Sequence, residues 1–289
     1  MLINTDVITV IPTFFDNSNN VDIAQILNHI QKQIDANIKT IVILGTTSET
    51  PTLSQEEKLL IIEDVFITFE KKLTIIIGVS GFATKAILQE ICLYEKYNCH
   101  FMISAPYYNK PSQEGLFLHF STIFSKINKQ FILYNVPSRS GVNINPETIA
   151  KLYNNFPNKL IAIKEASGSI EQVIKIKSLC NIIILSGDDS LTLSFMAVGA
   201  VGVISVVSNI VPNEMLLMVQ HFKEGNIDFC QKILYETYDL MKLCFIESNP
   251  VPLKFIMNYI NHDISANVRL PLTQLEDKNK FAIYKHLAK

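Results

Sequence analysis

Short runs of apolar, β-rich residues recur along most of the chain, and within each run successive positions stay apolar instead of alternating with polar ones. They fall at residues 7–12, 40–44, 73–79, 100–104, 130–134, 160–164, 182–185 and 202–206. Strands that are apolar throughout fit a parallel sheet buried on both faces. Between them the pattern changes to a helical period. From Asp22 to Ile34 the residues Ile23, Ile26, Leu27, Ile30 and Ile34 share one helical face. Ser54-Gln55-Glu56-Glu57 reads as a capping box ahead of Leu59, Leu60 and Ile61. Asn145-Pro146-Glu147 predicts a helix start with asparagine as cap and proline in the first turn, and Pro212-Asn213-Glu214 opens one more. Eight such β-α units in order predict an α/β fold, a (β/α)8 barrel of the TIM type. Past about Gly225 the strand pattern stops, and residues 226–245, 251–259 and 277–287 read as helices. The expected organisation is a catalytic barrel over residues 1–224 and a C-terminal helical appendage over 225–289. There is no Gly-, Ser- or Pro-rich linker, long-period repeat or low-complexity tract.

Composition narrows the function. Of the 289 residues 48% are hydrophobic, enough for a large core in one unit. The net charge of −2 and the lack of a basic block argue against nucleic acid or an anionic membrane as partner. No apolar run reaches the length of a membrane-spanning helix. The opening residues 1–6 have no charged n-region or small-residue cleavage site, so no signal peptide is expected. Five scattered cysteines without a C-x-x-C pair suit free thiols in a reducing, cytoplasmic setting. No GxGxxG or P-loop motif follows any strand, so no nucleotide cofactor is expected. The six histidines are spread out, with no metal-ligand spacing, so no metal site is expected.

In a barrel of this kind the active site sits at the C-terminal strand ends. The sixth run closes on a lysine, Leu160-Ile161-Ala162-Ile163-Lys164. Desolvation favours the neutral amine, and a neutral amine attacks ketones to make Schiff bases. The fifth run ends in Tyr134, with Arg139 just beyond; the second leads into Gly45-Thr46-Thr47-Ser48-Glu49, and the fourth into Tyr107-Tyr108. The seventh and eighth lead to Ser186-Gly187-Asp188-Asp189 and Val203-Ile204-Ser205. Only two of the 25 Lys+Arg are arginine, Arg139 and Arg269, so each is expected where a planar fork must grip a carboxylate. Plainer readings exist for each: a rim lysine, turn hydroxyls, a tyrosine pair in packing, Asp188 as a cap, Glu49 as a structural carboxylate. Their coincidence on one rim favours chemistry. Residues 17–20, 70–72 and 154–158 are expected on the opposite rim, as plain polar turns.

These segments, in order and over nearly the whole chain, together with Asn249-Pro250-Val251-Pro252-Leu253-Lys254, resemble the dihydrodipicolinate synthase family within the N-acetylneuraminate lyase superfamily. The resemblance implies a class I aldolase-type condensation of pyruvate with L-aspartate 4-semialdehyde, giving 4-hydroxy-tetrahydrodipicolinate in lysine and diaminopimelate biosynthesis. It implies Lys164 as the Schiff-base residue and Tyr134 as general acid/base in a relay with Thr46 and Tyr108, the last reaching in from a neighbouring subunit. Thr47 would hold the pyruvate carboxylate and Arg139 the semialdehyde carboxylate, while Gly187 and Ile204 would line the pocket. It further implies a homotetramer, a dimer of dimers. Three departures stand out. Ser48 replaces the family's usual glycine and would strain the loop if its backbone needs positive φ. Ser140 replaces the usual threonine. Gln55, Lys58, Phe82 and Ala86 stand where lysine-inhibited members carry histidines, an Asn and a Glu, which implies weak or absent feedback by lysine. Sibling readings are an N-acetylneuraminate lyase or a 2-keto-3-deoxy sugar acid aldolase; a reading of another class is a non-catalytic barrel scaffold.

Overall fold

The computed structural model describes residues 4–288; Met1 to Ile3, on which the signal-peptide expectation partly rests, lie outside the described residues. Eight parallel strands pair in chain order and close a barrel: β1 (Val7–Val10), β2 (Thr40–Ile43), β3 (Thr74–Val79), β4 (His100–Ser104), β5 (Phe131–Asn135), β6 (Leu160–Glu165), β7 (Ile183–Ser186) and β8 (Gly202–Ser205). The intervening helices are α1 (Ile23–Asp35), α2 (Gln55–Phe69), α3 (Thr84–Tyr94), α4 (Gln113–Lys126), α5 (Pro137–Ser140), α6 (Pro146–Asn155), α7 (Ile170–Leu179) and α8 (Thr192–Ala197). After β8 come α9 (Pro212–Lys223), α10 (Ile227–Leu243), α11 (Val251–Ile260) and α12 (Asp277–Leu287). The chain forms two compact units, Met1–Thr74 with Ser205–Lys289, and Ile75–Ile204.

The strand ends depart from the sequence pattern in a way that matters for the site. β5, β6 and β7 each run one residue past their expected ends, onto Asn135, Glu165 and Ser186. The ladder continues there, with Asn135 opposite Glu165 and Glu165 opposite Ser186. A reading by apolarity stops at the last apolar or site residue and misses a polar outer layer. β2 ends one residue early because Leu44 turns into the left-handed region at φ 53°.

In the first unit the capping box of α2 is complete: Glu57 N–H donates to Ser54 Oγ at 3.2 Å and Ser54 N–H to Glu57 Oε2 at 2.9 Å. On α1 the expected apolar face is only partly the buried one. Ile26 and Ile30 are buried, but Ile23, Leu27 and Ile34 are half-buried, while His29 and Gln33 turn inward. The cause is a polar network. Thr9 Oγ1 donates to Gln33 Oε1 at 3.0 Å, and Ser208 Oγ donates to Thr9 Oγ1 at 2.9 Å. Asn209 donates to the Val10 and Val206 carbonyls, so its Oδ1 accepts from His29 Nε2 at 2.8 Å. Residues 17–20 join β1 to α1 and therefore lie on the C-terminal rim, a correction to their expected placement. Their turn is built by Asp16, whose carboxylate accepts from the Ser18 and Asn20 N–H groups at 2.7 and 2.9 Å. Here α10 packs on α9, and α12 on α10.

In the second unit Phe101, Phe124 and Phe131 pack ring against ring at tilted angles between α4 and the strands. Asn145 precedes α6 as expected, but its side chain makes no cap hydrogen bond; it accepts from Asn143 Nδ2 at 3.4 Å.

Candidate active site

Neighbouring strands place the key side chains level with one another. Tyr134 on β5 lies opposite Ser104 of β4 and opposite Lys164 of β6, and Lys164 lies opposite Leu185 of β7. Lys164 is 5% exposed and Tyr134 8%. The lysine Nζ sits 4.4 Å from the centroid of the Tyr134 ring. No hydrogen bond or ion pair from the described residues reaches that Nζ, so the nitrogen is free to react. Gly187, just past β7, explains how the lysine stem fits. A Cβ there would lie 2.6 Å from Ala166 Cβ and 3.1 Å from Lys164 Cγ. Glycine is needed because backbone and lysine stem approach too closely for any side chain. Ile204 on β8 is buried.

Behind this layer the structure holds a polar set that a strand-end reading passes over. Glu165 is fully buried, and burial pushes its carboxyl pKa up, opposed by hydrogen bonds from Ser167, Asn135 and Gln172. Asn135 and Gln172 both also bond Asn143, and Asn135 Oδ1 accepts the Ile144 N–H at 3.0 Å. The segment after β5 is thus fastened to the end of β6.

That segment carries Arg139 on α5, a one-turn helix closed by Gly141 in the left-handed region at φ 72°. Arg139 is exposed. Ser140 keeps the role of a hydroxyl: buried, its one O–H lies within reach of the Val136 and Val142 carbonyls, at 3.1 and 2.9 Å. Tyr108 is 87% exposed, and its backbone sits at φ 69°. A bulky residue held in the left-handed region is uncommon. Its neighbour Tyr107 instead packs edge-on against Phe82, with ring centroids 5.8 Å apart.

In the first unit Thr46, Thr47 and Ser48 form a 3-10 turn directly after Gly45. Thr47 is buried, and its Oγ1 accepts from Asn249 Nδ2 at 2.9 Å. With that lone pair engaged, the hydroxyl hydrogen is left to donate elsewhere. Thr46 is half-buried, and its hydroxyl has no hydrogen bond among the described residues. The strain expected at Ser48 is absent: the left-handed residues of this loop are Leu44 and Glu49, both at φ 53°. Ser48 is buried and donates to the Ile11 carbonyl at 2.6 Å. Glu49 is a structural carboxylate. It pairs with Lys254 at 2.5 Å, both side chains fully buried, and accepts the Arg269 N–H at 2.9 Å. Burial lowers the Lys254 pKa to about 8, with Glu49 opposing. Lys254 also donates to the Asn267 carbonyl at 2.7 Å and lies over the Phe15 ring. Arg269 meets its expectation, gripping Glu57 with two nitrogens at 2.7 and 2.6 Å.

Neither Lys254 nor Glu165 is singled out by the strand-end reading, yet each leaves a trace: a lysine inside the apolar helix Val251-Pro252-Leu253-Lys254-Phe255-Ile256, and a carboxylate immediately after an apolar strand. Of the histidines, His29 and His119 are buried and His100 is half-buried. Burial pushes the pKa of His29, His100 and His119 down to about 4, which keeps them neutral.

A parallel barrel with a buried lysine at the end of its sixth strand, set against a tyrosine from its fifth, is the layout of a lysine-dependent lyase. The chain belongs to the dihydrodipicolinate synthetase family, whose pattern it matches over residues 4–289. It is 41% identical over 267 residues to a 4-hydroxy-tetrahydrodipicolinate synthase of Methanococcus aeolicus, covering 92% of each chain. To the enzyme of that name from a Sulfurihydrogenibium species it is 43% identical over 268 residues, covering 89% of each. The solved 4-hydroxy-tetrahydrodipicolinate synthase of Methylacidiphilum fumariolicum superposes with a TM-score of 0.94 at 35% identity, covering 98% of this chain and 95% of that one.

Proposed function

We propose that this chain is a 4-hydroxy-tetrahydrodipicolinate synthase, joining pyruvate to L-aspartate 4-semialdehyde. Lys164 in its amine form attacks the pyruvate ketone carbon; with uptake of one proton, water leaves and a protonated imine remains. Loss of a methyl proton converts this to the enamine. The enamine carbon adds to the aldehyde carbon of the semialdehyde, forming the new C–C bond, and the aldehyde oxygen takes up a proton. The semialdehyde amine then attacks the imine carbon, and the Lys164 nitrogen departs as the ring closes. Tyr134 moves the protons, passing them through the hydroxyls of Thr46 and a partner subunit's Tyr108; a phenol works as acid/base near neutral pH only inside such a relay. Thr47 donates to the pyruvate carboxylate. Arg139 holds the semialdehyde carboxylate with its fork, and Gly187 and Ile204 bound the pocket.

The observation that carries this reading is the buried Lys164 nitrogen over the Tyr134 ring with no competing hydrogen bond. Tyr108, projecting from a left-handed turn, supports an assembly in which it serves another copy, a dimer within a tetramer. Exposed Ile170 and Ile174 on α7 are suited to a second contact. Five cysteines, none of them in a disulfide, fit a cytoplasmic location. The Gln55, Lys58, Phe82 and Ala86 set supports weak or absent feedback by lysine.

Incubation with pyruvate and borohydride, read by mass spectrometry, is expected to leave a reduced adduct on the peptide holding Lys164. Its absence there would rule the reading out. Assays with aspartate semialdehyde, N-acetylneuraminate and a 2-keto-3-deoxy sugar acid in parallel separate the sibling aldolases. Only the first substrate brings a carboxylate at the end away from the pyruvate carbons, where Arg139 would meet it, so Arg139→Ala is expected to raise its KM and leave that of pyruvate unchanged.

A further inference from the structure

Side chains alternate across a strand, so Glu165 faces away from Lys164, into the layer between barrel wall and helices. Its carboxylate is surrounded by donors. Asn135 Nδ2 reaches Oε1 and Oε2 at 3.1 and 3.0 Å, Ser167 N–H reaches Oε1 at 2.7 Å, and Gln172 Nε2 reaches Oε2 at 2.9 Å. Donors aimed at both oxygens fit the ionised form, which only accepts. Every one of these partners is neutral, and no described salt bridge involves Glu165. The charged residues on the elements packed here are Arg139 on α5, Glu147 and Lys151 on α6, and Glu171, Lys175 and Lys177 on α7, with Asp188 and Asp189 beyond β7. All those on α6 and α7 are exposed except Lys177, which is half-buried. A buried anion without a cation is rare and costly. Here it stands one residue from the lysine that becomes cationic during the reaction, on a strand registered with the tyrosine strand through Asn135 opposite Glu165.

We propose that Glu165 is a positioning residue whose buried carboxylate supplies a fixed counter-charge for the cationic states of Lys164, held in place by Asn135 and Gln172. It acts through the lysine and never touches substrate. In the dry barrel wall such a charge is weakly screened. It favours both the ammonium form of the free lysine and the protonated imine. The proposal rests on the Schiff-base role of Lys164.

The test is the rate of cyanoborohydride trapping of pyruvate on Lys164 as a function of pH. Trapping by the native enzyme checks the Schiff-base role by itself; if it fails, that role and this proposal both fall. Removing the anion disfavours the ammonium, so the amine becomes available at lower pH. In Glu165→Gln the midpoint of the rate profile is therefore expected to move down by about half a pH unit or more. Gln172→Lys leaves Glu165 in place but sets a cation against it, and is expected to move the midpoint the same way should Glu165→Gln fail to fold. Gln172→Ala removes one donor and keeps the charge, and its midpoint is expected to stay at the native value. A lower plateau with an unmoved midpoint in the charge-altering variants is what a purely structural role produces, and it would overturn the proposal. A shift of equal size in Gln172→Ala would overturn it too.

Discussion

A single missing side chain shows how little room surrounds Lys164. Gly187 has ordinary backbone geometry, so its requirement is spatial: a methyl would press on Ala166 and on the Lys164 stem. A displacement of a reacting atom by about 1 Å can cost about a hundredfold in rate. Gly187→Ala is expected to lower kcat/KM for pyruvate by about tenfold or more, with slower trapping on Lys164. An unchanged kcat/KM would mean that the lysine has slack the geometry does not show. Sequence alone marks Gly187 only through family likeness; the reason for it depends on β6 and β7 lying side by side.

Among the elements, the loop after β2 is the one that needs outside support. It is two short 3-10 turns linked by a left-handed Glu49, and its own hydrogen bonds, such as Ser48 N–H to the Gly45 carbonyl and Thr52 N–H to the Glu49 carbonyl, span only a few residues. Its fastening comes from α11 and what flanks it: Asn249 on Thr47, Lys254 on Glu49, and the Arg269 backbone on the other Glu49 oxygen. Breaking a fully buried pair strands one charge, at a cost of about 3–5 kcal/mol. Glu49→Gln is expected to lower stability by that order in urea unfolding. Glu49→Gln combined with Lys254→Met is expected to lose less than the single change, because no uncompensated charge remains. A double variant less stable than the single would show that the pair contributes more than mutual neutralisation. That a carboxylate after β2 is structural could be raised from its position; its partner, some 205 residues away, could not.

For the molecule as a whole, the consequence to check is regulation. Gln55 and Lys58 lie on α2, while Phe82 and Ala86 are exposed near α3, with Phe82 offering a ring to Tyr107 where a lysine-binding site would offer polar groups. Initial rates are expected to stay near their uninhibited level as lysine is titrated through the sub-millimolar range. Full inhibition there would place a lysine site on other residues.

Local sequence determined the order of eight strands and their helices, because the apolar runs and the capping signals at Ser54 and Pro212 act over a few residues. It also determined the chemical inventory of the C-terminal rim, since Tyr134 and Lys164 are the next-to-last residues of β5 and β6, Gly187 follows directly on β7, and Thr47 lies in the turn after β2. What only the tertiary structure decided is which polar groups are buried together. His29 turning inward toward Asn209, Lys254 meeting Glu49, and Glu165 gathering donors from Asn135, Ser167 and Gln172 arise mainly from contacts between distant segments. Periodicity ranks residues by polarity and sends these outward. The folded chain holds them inside because each finds a partner that offsets its desolvation.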